Sequence, residues 1–386
     1  MARVKPSPTG AVLALVTELR AQGRDIISLG TGEPDFDTPQ HIRDAAVAAI
    51  AAGKTRYTPI DGTAELKAAV QAKFARENGL DYETSAIIVT SGGKQALFNL
   101  CMALLSPGDE AIIPAPFWVS YPDMVRLAEA QPVIVATGIE QQFKMTPAQL
   151  EAALNERTRL VMLNSPCNPT GASYTRAELQ ALGAVIEGYP DVVIVSDDIY
   201  EHIYWADEPF VTFAAACPAL FERTVTVNGV SKAYAMTGWR IGYAGGPAPL
   251  ISAMKTVQSQ STSNPCSVSQ AAAQAALEGD QGPVRTMCEA YRARHDYLVA
   301  ALNGIPGLQC RAGEGAFYAF PRVRDAVDRL GLGDDTALVE MLIREAEVAC
   351  VPGAAFGAPG YLRMSFACSL EALEEAVKRL NRVLAA

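Results

Sequence analysis

The sequence predicts an α/β protein: a large domain on a mostly parallel seven-stranded sheet covered by helices, with a smaller α+β domain beside it. Two observations carry that expectation. From Ala86 to Ala244, short runs rich in Val, Ile and Leu alternate with helix-length segments. The runs are near-continuously apolar instead of alternating, which suits strands buried on both faces of a parallel sheet. At 386 residues the chain is long enough for two or three domains and a sizeable core.

Residues 11–22 read as a helix that stops at Gly23, and Ile26 to Leu29 as a short strand running into the Gly- and Pro-rich loop Gly30 to Asp35. Thr38 reads as an N-cap, with Pro39 in the first turn of a helix to about Ala52. After the loop 53–62, which holds Tyr57, a second capped helix is expected from Thr63 to Asn78, stopped by Gly79. The seven strands are expected at 86–90, 110–114, 132–136, 158–163, 192–196, 224–228 and 240–244. Helices at 94–105, 118–129, 147–154 and 175–187 lie between most of them. After Pro247 helices dominate, and a long one over 284–303 reads as a connector between domains. Short strands at 308–310, 316–320, 348–351 and 361–365, with helices at 335–346 and 370–384, make up the rest. The large domain is therefore expected over 46–285 and the small one over 286–386.

Composition excludes several functions. The net charge is −10 and no long basic run exists, so nucleic acid and anionic membrane surfaces are poor partners. The eight cysteines are scattered, with no CxxC and no metal-ligand spacing, so no metal is expected and buried thiols in a reducing compartment are. Cys101, Cys167, Cys350 and Cys368 sit in or beside apolar runs. The N-terminus lacks the apolar core of a signal peptide, and no apolar run approaches about 18 residues. A cytoplasmic location is expected.

The chemistry centres on Thr226 to Gly246. Ser231-Lys232 and Trp239-Arg240 place two cations and a hydroxyl in a loop between apolar strands. A lysine held there has a depressed pKa, as attack on an aldehyde requires, and Arg240 with Ser231 suits a phosphate. Thr90-Ser-Gly-Gly-Lys-Gln-Ala96 follows a strand and opens a helix, so its free amides suit an anion, although it lacks Walker spacing and on its own a ligand-free tight turn is the commoner outcome. Asn164-Ser-Pro-Cys-Asn-Pro-Thr-Gly171 is turn chemistry after another strand, and Val192 to Tyr200 ends a strand on Asp197 and Asp198. Asp198 reads as a solvated strand-end charge.

Ser231-Lys-Ala-Tyr-Ala-Met-Thr-Gly-Trp-Arg240 resembles the cofactor-lysine segment of the fold-type I, pyridoxal-phosphate-dependent class I/II aminotransferases. The likeness is strongest to the bacterial aspartate aminotransferases of the Ib subgroup and runs from Lys5-Pro-Ser7 to Arg363. It implies that Lys232 binds pyridoxal 5′-phosphate as a Schiff base and shuttles the substrate proton. Asp197 would keep the ring nitrogen protonated, Tyr200 would donate to the ring oxygen, and Trp118 would stack on the ring. Asn168 would bond both ring hydroxyl and substrate; Cys167 before it stands where relatives often have serine. Gly92, Gly93, Ser231 and Arg240 would hold the phosphate, with Tyr57 reaching in from the neighbouring subunit of a homodimer. Arg363 and the Gly32 backbone would bind the α-carboxylate. Lys94 would pair with the distal carboxylate of aspartate or glutamate, or else answer the cofactor phosphate, and Ser7 or Thr9 would assist. Phe356 is expected near the entrance, and residues 1–45 are expected to join the small domain.

The activity so implied is ping-pong transfer of an amino group to a 2-oxo acid such as 2-oxoglutarate. Aspartate leads as donor, and prephenate, glutamate or aromatic amino acids stand behind it. A C–S lyase on the same fold is the alternative enzyme. A DNA-binding regulator with an aminotransferase-like domain is disfavoured, since the motifs start at Lys5.

Overall fold

The computed structural model describes Val4 and residues 8–385. The helix Pro8–Ala21 leads into a two-residue strand β1 (Ile27–Ser28), and the helices Gln40–Ala51 and Ala64–Lys73 follow. Thr63 caps the second of these through its side chain. The first is not capped as expected. Pro39 holds the cap position, while the Thr38 hydroxyl donates to the Ala235 carbonyl at 2.6 Å and accepts from Trp239 Nε1 at 3.0 Å. A tertiary partner has taken the capping hydroxyl. The last turn before Gly79 widens into a π-helix, Phe74–Asn78, and Gly79 closes it at φ 65°.

Seven strands form the main sheet: β2 (Ile87–Thr90), β3 (Glu110–Ala115), β4 (Gln131–Ala136), β5 (Thr158–Asn164), β6 (Val193–Asp197), β7 (Thr224–Gly229) and β8 (Gly242–Gly245). Their order is β2-β8-β7-β6-β5-β3-β4, parallel throughout except that β8 runs against both its neighbours. The predicted strands agree to within about two residues. The largest shift is at β8, because Arg240 takes the left-handed conformation at φ 55° and keeps out of the strand. Leu97, Leu100, Met124 and Val125 pack one set of helices on Ile88, Ile113 and Val227 of the sheet. Leu150, Leu179, Leu182 and Ile186 do the same for Ile112, Val161 and Ile194. Each such side chain, fully buried, contributes about 1.5–3 kcal/mol. The expected helix 118–129 begins only at Tyr121, leaving Trp118 in the turn before it.

The helix Gly282–Asn303 buries Val284, Met287, Tyr291, His295, Leu298 and Leu302, three or four residues apart along one face. Beyond it lie β9 (Tyr318–Ala319), β10 (Val348–Ala349), β11 (Val351–Pro352) and β12 (Leu362–Ser365), with β12 central in the order β11-β12-β9. β1 pairs in parallel with β10, which ties the N-terminal segment to this part of the chain. The expected strand 308–310 is absent; only an isolated bridge, Gln309 to Arg322, is present. Cys101 and Cys350 are buried, Cys167 and Cys368 half-buried, and all eight cysteines are free.

One sequence expectation about charge fails. Asp198 is only 1% exposed, so it is no solvated cap. Its Oδ1 accepts from Ser196 Oγ at 2.6 Å, and burial pushes its pKa up to about 7. Below the loop after β6, Lys73 is wholly buried and donates to Glu201, whose other oxygen accepts from Asn78 Nδ2 at 2.7 Å. Glu77 and His202 meet at 2.9 Å beside them. That ionic cluster anchors the loop directly after Tyr200.

Candidate active site

Strands β5, β6 and β7 end side by side, and their C-terminal ends face a cavity of about 530 Å³. Open α/β sheets bind ligands at such edges.

Asp197 closes β6 and is 6% exposed. Tyr121 donates its hydroxyl to Asp197 Oδ2 at 2.6 Å. Burial raises the Asp197 pKa to about 6, with the Tyr121 bond opposing the rise. One strand over, Asn164 closes β5. Its Nδ2 donates to the Asp197 carbonyl at 2.8 Å, and its Oδ1 accepts from the Asn168 amide at 2.8 Å. The Asn-Pro-Thr-Gly turn is thereby hung from the sheet edge, and Asn168 Oδ1 accepts from Arg363 Nη1 at 3.1 Å.

Arg363 lies on the central strand β12 and is 4% exposed. Its Nη2 donates to the Gly30 carbonyl at 2.7 Å, while Nε has no hydrogen-bond partner among the described residues. The rings of Tyr318 and Phe356 lie 4.6 and 5.0 Å from the guanidinium carbon. Phe356 is fully buried, so it forms a wall behind Arg363 and not an entrance residue.

Lys232 follows β7 by a short loop. Its Nζ donates to the Gly32 carbonyl at 2.6 Å, and Tyr200 and Phe317 rings lie 6.0 and 5.7 Å away. Among the described residues no carboxylate is within ion-pair reach. Burial, helped by Arg363 and Arg240, pushes its ammonium down to about 8 against Glu33 and Asp197. A neutral amine is therefore accessible near physiological pH.

Arg240 donates to the carbonyls of Thr237 at 2.9 Å and Ser91 at 3.4 Å. Gly92 has φ 88°, which favours glycine, and a Cβ there would push the Arg240 guanidinium from its place. The helix Gly93–Leu104 opens at this point, aiming its first amides at the same space. Lys94 is exposed, with its Nζ 4.9 Å over the Trp118 ring; burial and then Arg240 lower its pKa. Trp118 meets Tyr121 edge-on at 5.4 Å.

Of the residues singled out in the sequence, Gly32, Gly93, Lys94, Trp118, Asn168, Asp197, Tyr200, Ser231, Lys232, Arg240 and Arg363 line this one cavity. Gly92 supports it from behind Arg240. Tyr57 is not brought in; it is 92% exposed. Ser7 and the Thr9 side chain lie outside the described residues. The sequence reading missed Gly30, Asn164, Tyr121 and Tyr318. Asn164 opens the turn motif and Tyr121 ends the aromatic stretch Pro116 to Tyr121, so position in the motifs was the available signal.

The family model of aminotransferase class I and II matches residues 24–380. An aspartate/prephenate aminotransferase of Nitrosomonas europaea is 56% identical over 387 residues, covering 99% of this chain and 98% of its own. The aspartate aminotransferase of Rhizobium meliloti has a solved structure similar at TM-score 0.95 and 47% identity, over 100% of this chain and 98% of that one. That of Thermus thermophilus with maleate is similar at TM-score 0.92 and 46% identity, over 98% and 97%. A buried lysine amine, a sheet-edge carboxylate and an arginine fork thus share one cavity in a chain that belongs to the class I and II aminotransferase family.

Proposed function

We propose that this aminotransferase uses pyridoxal 5′-phosphate to move the amino group of aspartate, and of prephenate's amino partner or glutamate, between amino and 2-oxo acids. The observation that carries the reading is the placing of Lys232, Asp197 and Arg363 on one cavity with Arg240 and the Gly93 helix start at its end. The residues fit the cofactor. The guanidinium of Arg240, the free amides at Gly93 and Ser231 suit a phosphate, and Asp197 offers a buried carboxylate for a ring N–H.

When bound, pyridoxal phosphate supplies an aldehyde for amines and a ring that withdraws electrons from the substrate Cα. Asp197 holds the proton on the ring nitrogen. Trp118 covers one face and excludes water. Arg363, with an unpartnered Nε, holds the α-carboxylate, aided by Asn168. The Lys232 Nζ would take the Cα proton as general base and give it back as general acid on the far side of the transferred nitrogen. Lys94 meets the distal carboxylate, and its position over Trp118 and the dicarboxylates in the relatives' descriptions support this. Tyr57, exposed in one chain, would complete the site of a second copy in a homodimer. We place the large domain at 46–285 and the small one at 286–386, with 1–45 joined to the latter through the β1–β10 pair. The protein would work in the cytoplasm; among the described residues no helix is long and apolar enough to cross a membrane.

The test is kcat/KM of the cofactor-loaded protein with 2-oxoglutarate and a panel of aspartate, glutamate, tyrosine, phenylalanine, alanine, kynurenine and arogenate. A lead for aspartate is expected. A lead for an aromatic donor would move Lys94 to the phosphate, and release of pyruvate and ammonia without an oxo-acid acceptor would make the protein a lyase.

A further inference from the structure

Tyr318 lies at the junction of the two halves of the site. It sits on β9, where it pairs with Ser365 of β12, and is 1% exposed. Its hydroxyl is 2.9 Å from that of Tyr200, which follows β6 on the main sheet. Its ring meets the Arg363 guanidinium at 4.6 Å. A Cβ on Gly32 would stand 2.7 Å from its hydroxyl, so Gly32 must be glycine for that hydroxyl to stay where it is. One side chain therefore touches the arginine fork, the tyrosine under the proposed ring oxygen, and the residue whose carbonyl holds Lys232.

A hydroxyl has one proton to donate and two acceptor positions. Tyr200 and Tyr318 share one bond, and the structure gives the Tyr318 hydroxyl no other hydrogen-bond partner among the described residues. Both hydroxyls line the same cavity, so either could donate in the protein alone. Once Tyr200 gives its proton to the cofactor ring oxygen, as proposed above, it can only accept from its neighbour, and Tyr318 becomes the donor of the shared bond.

We propose that Tyr318 is a positioning residue that links the Arg363 fork to Tyr200 and fixes the direction of the Tyr200 hydroxyl proton. This rests on the proposed role of Tyr200 toward the cofactor ring oxygen. Arg363 acts in the same sense electrostatically. The cation beside Tyr318 opposes the upward push of burial on its pKa and so makes it the better donor. Tyr318 in turn strengthens Tyr200 as a donor, since hydrogen bonds in series polarise one another.

Tyr318→Phe keeps the ring and removes only the hydroxyl. A weaker Tyr200 donor stabilises the deprotonated bound cofactor less. The protonation midpoint of the cofactor's visible absorbance is therefore expected to rise by about half a unit to one unit. In a Tyr200→Phe background the same substitution should add no further shift. Maleate affinity should stay near wild type for Tyr318→Phe and fall several-fold for Tyr318→Leu, which also removes the ring from Arg363. An unchanged midpoint in Tyr318→Phe, or an equal shift in the Tyr200→Phe background, overturns the proposal and leaves the aminotransferase reading standing. A wild-type protein that does not take up pyridoxal phosphate overturns both.

Discussion

Lys73 and Lys232 are both withdrawn from solvent, yet their surroundings differ in kind. Lys73, 0% exposed, is locked by Glu201, by Asn78 Oδ1 at 2.7 Å and by Glu77 at 3.5 Å. Lys232, half-buried at the cavity, has one neutral partner, the Gly32 carbonyl. Carboxylates around a buried ammonium compensate its desolvation and keep it charged and inert. Without them, burial and two nearby guanidinium groups bring the Lys232 amine down to about 8. The partners, not the depth, hold one lysine in an ionic cluster and leave the other with a lowered pKa at the cavity.

The sharpest test of this contrast removes each amine. Lys232→Ala should fold normally but lose turnover by about a thousandfold or more, and borohydride should no longer fix pyridoxal phosphate to the chain. Retained turnover would end the claim that this amine moves the proton. Lys73→Ala should do the opposite. It strands the Glu201 carboxylate in the interior, and a loss of about 3–5 kcal/mol in urea denaturation is expected, with kcat of the folded enzyme near wild type. A large fall in kcat at unchanged stability would erase the distinction between the two lysines.

Lys94 sharpens the comparison as a third case, an exposed ammonium over Trp118 with no carboxylate paired to it among the described residues. Lys94→Ala is expected to lower kcat/KM for aspartate about tenfold more than for alanine. Equal losses on both substrates would assign it to the cofactor.

The smallest effect concerns the two neighbouring carboxylates, where partners again decide. Asp197 accepts from Tyr121, and Asp198 accepts from Ser196 but sits against two further carboxylates, Glu201 and Asp197. Burial, with Glu201 and Asp197 adding repulsion, raises the Asp198 pKa from 3.8 to about 7. A raised carboxyl pKa means that the native state binds more protons between those values than the unfolded one, so this group's contribution falls as pH rises through that window. Asp198→Asn removes that fall. Urea denaturation of the cofactor-free protein should show the variant gaining on wild type between about pH 4 and pH 7. A gap that narrows with pH would mean that Asp198 is charged and compensated in the fold.

Much of this was written locally. The inner strands announced themselves because a strand buried on both faces is apolar over most of its length, as the fully buried β2 and β8 are, whereas the edge strand β4 alternates between buried and exposed residues. Helix stops such as Gly79 were legible because only glycine takes φ 65° without strain. Lys232, Asp197, Asn168, Arg240 and Arg363 stood out because each sits in a motif at or beside a strand end. Thr38 misled because its hydroxyl serves Ala235 and Trp239, about 200 positions away, instead of its own helix. Strand 308–310 failed because three residues with one bridge partner make no ladder.

By itself, then, the sequence determined the α/β class, the strand order along the chain, and most of the side chains that the fold brings to one cavity. Those depend on side-chain type, periodicity and turn residues, which are properties of neighbours in the chain. Only the tertiary structure decided which lysine is compensated, that Asp198 is buried, that β8 runs antiparallel, and that Tyr318 joins Tyr200 to Arg363. Those facts rest mostly on contacts far apart in the chain, 45 positions for Tyr318–Arg363, 118 for Tyr200–Tyr318, 128 for Lys73–Glu201 and 200 for Lys232–Gly32. Desolvation and hydrogen-bond partnership are fixed by such contacts, and no local pattern encodes them.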